Sequence, residues 1–131
     1  MTPFLEITKT EGPIITLHFD GLLDGQTETL AVESARTAKD AGARFLLIDL
    51  SQVDMVTSAG LRALHTIFKI FTPPEELQAW KMENPDLVLK TPYFKLSGAS
   101  SEIQYVLSIS GFLENIPIYF TAQDALHSFP V

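Results

Sequence analysis

The sequence contains no cysteine, so disulfides, thiol catalysis and thiolate metal sites are excluded. It has no run of the roughly 18 apolar residues that a membrane-spanning helix needs, so direct membrane insertion is not expected. Basic residues are few, 9 against 16 acidic ones, and they are scattered along the chain. The resulting net charge of −7 argues against nucleic acid, because phosphate backbones demand clustered Lys and Arg. The three histidines, His18, His65 and His127, are dispersed and lack metal-ligand spacing. The opening MTPFLEITKTEG has neither the basic start nor the apolar block of a signal peptide, which makes a cytoplasmic location the expectation. No internal repeat or low-complexity segment is present.

What remains is a chain of 131 residues, 46% hydrophobic and 19% charged, suited to one globular domain with one sizeable core. FLEITKTEGPIITLHF alternates apolar and polar residues on both sides of Glu11-Gly12-Pro13, which predicts two short strands around a turn. In LDGQTETLAVESARTAKDAGA, Ala31, Ser34, Ala35, Ala38 and Ala41 recur at helical spacing. Gly42 ends that helix, and Asp24 is its candidate N-cap.

The run Phe45 to Leu50, FLLIDL, is apolar apart from Asp49, the pattern of a central strand covered on both faces and parallel to a neighbour. After the turn at Ser58, Leu61, Leu64, Phe68 and Phe71 share one helical face, and Arg62, His65, Thr66 and Lys69 share the opposite one. Pro73, Pro74, Pro85 and Pro92 then break the rhythm, with about one or two helical turns expected in EELQAWKM. Leu77, Trp80 and Met82 need a surface to cover, so this stretch is expected to fold back on the domain.

YFKL reads as a strand, followed by a helix from about Ser101 with Ile103, Val106 and Leu107 inward and Gly111 closing it. IPIYF is a last strand, and Thr121 to Asp124 resembles the capping-box start of a final helix that buries Ala125, Leu126 and Phe129. Strands alternating with helices after an initial hairpin imply a mixed α/β sheet with at least one face covered. No internal domain boundary is evident, so residues 1–131 form a single domain with a proline-rich insertion at about 72–92.

The stretch DMVTSAGLRAL carries the main functional question. A serine on a strand-to-helix turn suggests the nucleophile elbow Gly-x-Ser-x-Gly, but Val56 stands where the first glycine belongs. His65 lies on the same helix as Ser58, a poor place from which to reach back to it. A structural reading makes Thr57 or Ser58 an N-cap. A third makes Ser58 a phosphate acceptor: a helix N-terminus favours an anion, and Arg62, four residues on, could pair with it.

DLSQVDMVTSAGLRAL resembles the signature of the STAS domain, shared by bacterial anti-sigma factor antagonists and the cytoplasmic parts of sulfate transporters. GLLDGQTETL and LSGASSEIQYVLSISGFLENIPIYFTAQDAL resemble two further parts of that family, the latter with a helix ending at Ser-Gly-Phe. The resemblance implies a STAS-like mixed sheet of about five strands with helices packed mainly on one face. It also implies a non-enzymatic anti-sigma factor antagonist with no catalytic residues and no cofactor. In such a protein the unphosphorylated form binds a serine-kinase anti-sigma factor and releases sigma factor, phosphorylation on Ser58 ends binding, and a phosphatase resets it.

The implied partner surface comprises Asp24, Thr57, Ser58, Ala59, Gly60 and Arg62. Many phosphorylated members carry an acid before the serine; this chain has Thr57, which is thereby a second candidate acceptor. The proline-rich insertion also replaces the family's short glycine-containing turn. A stand-alone STAS subunit regulating a membrane transporter is the alternative implied by the family, and a homodimer is left open.

Overall fold

The computed structural model describes residues 4–111 and 114–131. Phe112, on which the helix-ending motif falls, lies outside the described residues. The elements are β1 (Leu5–Thr10), β2 (Ile14–Leu23), α1 (Glu28–Asp40), β3 (Phe45–Val56), α2 (Ser58–Phe71), α3 (Pro74–Glu83), β4 (Phe94–Ser97), α4 (Ser101–Ile109), β5 (Ile118–Tyr119) and α5 (Ala122–Ser128). The strands form one sheet in the order β1-β2-β3-β4-β5. β1 and β2 are the expected antiparallel hairpin, and β2, β3, β4 and β5 run parallel.

Side chains on a strand alternate between faces, and β3 divides accordingly. Leu46, Ile48 and Leu50 belong to the main core, with Ala31 and Ala35 of α1, Leu64, Ile67 and Phe71 of α2, and Ile103 and Leu107 of α4. Phe45 and Leu47 face the other way, into a smaller cluster with Ala125 of α5 and Phe129, the residue that ends that helix. The helices therefore lie mainly on one face, and α5 alone among the described helices supplies the core of the opposite one. Lys95 anchors it there: its buried ammonium donates to the Ser128 carbonyl at 3.0 Å and sits 4.7 Å from the Phe129 ring centre.

Three expectations are corrected. α1 begins at Glu28 with Thr27 as N-cap residue, not at Asp24. Asp24 instead closes the preceding turn, its carboxylate accepting from the amides of Gln26 at 2.9 Å and Thr27 at 3.2 Å. Local bonding to the amide two residues on is what an aspartate does in a turn, and here it defers the helix.

In the insertion, α3 runs for 10 residues rather than one or two turns, because Pro74 opens it, Glu75 and Glu76 occupy its first turn and Lys81 its last. The insertion does fold back, with Leu77 packed against the main core and Trp80 half-buried, but Met82 is 83% exposed and covers nothing. No helix among the described residues is long and apolar enough to cross a membrane.

Candidate functional site

The site grows out of the length of β3. β4 pairs only with Leu46 to Asp49, so the rest of β3 runs on beside β2, ending with Val56 opposite Leu23. There the Thr57 amide donates to the Leu23 carbonyl at 3.0 Å, the chain turns, and α2 begins. Gly60 lets α2 start so close: a Cβ at that position would run into the Leu23 carbonyl oxygen. Only a glycine clears this approach.

The adjacent hydroxyls of Thr57 and Ser58 take different places. Thr57 is the N-cap, extended at φ −97° and ψ 179°, and its side-chain oxygen accepts the Gly60 amide at 3.4 Å. Ser58 is the first helical residue; it is exposed and makes no side-chain hydrogen bond among the described residues. The cap reading therefore belongs to Thr57.

The turn before α1 closes against the same corner. A Cβ on Gly25 would lie 3.8 Å from that of Ala59, so the Asp24-Gly25 turn packs beside the first turn of α2. Across the two helices, the Arg62 guanidinium donates to both carboxylate oxygens of Glu28, at 2.7 and 2.8 Å. That hydrogen-bonded pairing, reinforced by Coulomb attraction, holds Glu28 below the usual carboxylate value and raises Arg62. The structure thus brings Asp24, Thr57, Ser58, Ala59, Gly60 and Arg62 to one corner. Arg62, however, is already engaged, so any anion placed at Ser58 would have to compete with Glu28 for it.

Glu28 was not singled out by the sequence reading. Its signal lay in its place in the first turn of α1, but only the packing of α1 on α2 shows its partner.

Beside Ser58 lies an open hollow of about 580 Å³ between the start of α2 and the end of α4. Val56, Leu61, Val106 and Ile109 give it apolar walls, with Thr57, Ser58 and Ser110 completing them. Ile109 is 65% exposed there. An apolar surface of this kind, rimmed by hydroxyls, suits a protein contact.

The histidines lie elsewhere. His18 Nδ1 is 3.0 Å from Asp49 Oδ2 on the neighbouring strand, and its Nε2 is 2.9 Å from the Thr10 hydroxyl. Burial disfavours the charge on Asp49, but hydrogen bonds from His18 and Ser51 outweigh it and hold the carboxyl below its usual value. The His65 ring stacks on Phe68 at 5.8 Å, and burial, with Lys69 nearby, lowers its pKa. His127 is on α5, which packs on the sheet face opposite α2. Among the described residues no group of three or more His, Asp or Glu could hold a metal ion.

The STAS domain family model matches residues 5–72. No curated protein matches the sequence. The structure is similar to that of an anti-sigma factor antagonist from Mycobacterium paratuberculosis, at a TM-score of 0.76 and 16% identity, over 97% of this chain and 95% of that one. An anti-sigma-factor antagonist (STAS) domain protein from Planctomyces limnophilus matches at a TM-score of 0.65 and 23% identity, over 93% of this chain and 96% of that one. The phosphorylated form of SpoIIAA, a Bacillus cell fate determinant, matches at 0.59 and 13%, over 94% and 96%. At these identities the likeness is one of fold.

Proposed function

The chain belongs to the STAS domain family, and from that premise we propose that it is an anti-sigma factor antagonist working as a phosphorylation-controlled interaction switch. In this reading the unphosphorylated chain binds a serine-kinase anti-sigma factor and so releases sigma factor. Phosphorylation of Ser58 ends the binding, and a phosphatase restores it. The chain itself is not an enzyme.

The observation that carries this reading is the exposed, unengaged hydroxyl of Ser58 at the first residue of α2. Thr57 already supplies the cap, so modifying Ser58 removes no cap from the fold. A phosphate there meets the free amides and positive dipole end of α2, which favour an anion. It also adds roughly −1.5 to −2 charge at the rim of the apolar hollow. A partner seated in that hollow must then desolvate the phosphate. Losing about 3–4 kcal/mol of binding lowers affinity by a factor of several hundred. The fold's likeness to an anti-sigma factor antagonist and to the phosphorylated form of SpoIIAA lends support.

The test is phosphopeptide mapping after incubation with the kinase and ATP, alongside calorimetric binding of Ser58→Asp and Ser58→Ala. Phosphate on Ser58, weak binding by Ser58→Asp and tight binding by Ser58→Ala are expected. Equal phosphorylation of Thr57 in Ser58→Ala, or tight binding by Ser58→Asp, refutes the assignment.

A further inference from the structure

The insertion between α2 and β4 builds a cleft of about 350 Å³ that the switch at Ser58 does not use. Glu76, Trp80 and Glu83 of α3 line it, spaced three to four residues apart on one stripe of the helix. Leu89, Pro92 and Tyr93 of the following segment complete it. Two carboxylates and two aromatic rings are thus gathered around one space; no lysine or arginine lines it, and the nearest guanidinium, that of Arg44, sits 5.8 Å from the Tyr93 ring centre outside the lining.

The lining is organised. The Tyr93 hydroxyl donates to the Glu76 carboxylate at 2.6 and 2.8 Å, and the Tyr93 ring stacks on Phe45 at 5.9 Å. Trp80 is half-buried, and its carbonyl accepts the Asn84 side-chain amide at 3.0 Å. The Glu83 side chain, by contrast, makes no hydrogen bond or ion pair among the described residues. α3 fully buries none of its residues; Leu77 is the one that packs against the main core, and Glu76 and Glu83 contribute nothing to it.

We propose that this cleft binds an organic cation, an alkylammonium or guanidinium group seated against Trp80 and Tyr93 with Glu83 as its counter-ion. Aromatic faces attract such cations through the ring quadrupole, and carboxylates at the rim add charge while repelling anions. A neutral apolar guest would gain nothing from Glu76 and Glu83. The volume is at the lower end for small-molecule sites, enough for a choline-sized group or a single guanidinium-bearing side chain.

Trp80 is the only tryptophan, so intrinsic fluorescence excited at the indole reports on this cleft directly. The full chain is titrated with choline chloride and, separately, with argininamide, against sodium chloride at matched ionic strength. The control is 3,3-dimethyl-1-butanol, the uncharged isostere of choline. A saturable fluorescence change is expected with at least one cation, with the neutral alcohol about tenfold weaker or more. Saturation by choline assigns the site to free quaternary amines, and saturation by argininamide alone assigns it to guanidinium groups. Glu83→Gln, an exposed position whose change should leave the circular dichroism and melting temperature intact, should weaken binding about tenfold. The proposal is overturned if neither cation saturates below about 50 mM, if the alcohol binds as well as choline, or if Glu83→Gln binds as tightly as the parent chain.

Discussion

Alanine at Thr57 and at Ser58 should separate the fold from the switch. Thr57 caps α2 through a 3.4 Å bond from the Gly60 amide, whereas Ser58 has no such bond and lies exposed at the first helical residue. Losing an N-cap hydroxyl costs about 0.5–2 kcal/mol. The bond here is longer than the usual range of about 2.7–3.2 Å, which places Thr57→Ala near the lower end, at about 0.5–1 kcal/mol. For a chain of 131 residues that corresponds to a drop in melting temperature of about 2–4 °C. Ser58→Ala should leave the melting temperature unchanged or slightly raised, since alanine is the better helix former and no cap is lost. Thermal melts by circular dichroism, paired with phosphorylation by the proposed partner kinase, read both effects. Thr57→Ala should melt earlier yet still take phosphate; Ser58→Ala should melt normally and take none. If Ser58→Ala instead carries the loss of stability and Thr57→Ala has none, the division of labour between the two hydroxyls is wrong.

Gly60→Ala forces a Cβ against the Leu23 carbonyl in a buried corner, so a loss of about 1–3 kcal/mol in urea denaturation is expected; a midpoint like that of the parent chain would mean α2 does not approach β2 this closely. Asp49 has a lowered folded pKa, so its charge stabilises the fold above its unfolded value of about 3.9, and that contribution is lost as pH falls through the folded value. Asp49→Asn should therefore lose less stability than the parent chain between about pH 5 and pH 3, and equal losses would refute the pairing with His18. Glu28→Gln frees the Arg62 guanidinium, so phosphorus NMR of the phosphorylated chain should show the Ser58 phosphate titrating lower than in its Glu28 counterpart, below the usual value of about 6; identical titrations would mean that Arg62 does not reach it.

Much of the architecture was legible because its signals are local. The apolar run through Phe45 to Ile48 is buried on both faces as expected, and α2 buries Leu61, Leu64, Phe68 and Phe71 as its spacing required. Thr121 caps α5 by accepting the Asp124 amide at 3.0 Å, which the capping-box pattern had indicated. What was misread turned on competition between neighbours of equal propensity. Asp24 and Thr27 are both good caps, and Asp24 was taken up by its own turn. Relations across the sheet were not legible. Asp49 stood out as a carboxylate in an apolar strand, but its partner is 31 residues earlier and known only from the register of β2 on β3. The face that α5 covers, and the pairing of Glu28 with Arg62, likewise depend on packing between elements distant in sequence.

The exposure of Ser58 follows from the glycine two residues after it. Because Gly60 has no side chain, the first turn of α2 can sit against the end of β2. That contact lets the Thr57 amide reach the Leu23 carbonyl, which fixes where the chain leaves the sheet and commits the Thr57 hydroxyl to capping. The residue that follows then starts the helix with its side chain in solvent and its backbone amide among the unpaired ones of the first turn. A serine placed there is accessible from outside and sits in the part of the helix that best tolerates an anion. The Thr-Ser-Ala-Gly order thus has a physical division of roles: one hydroxyl for the fold, one left free, and two small residues that let the corner close.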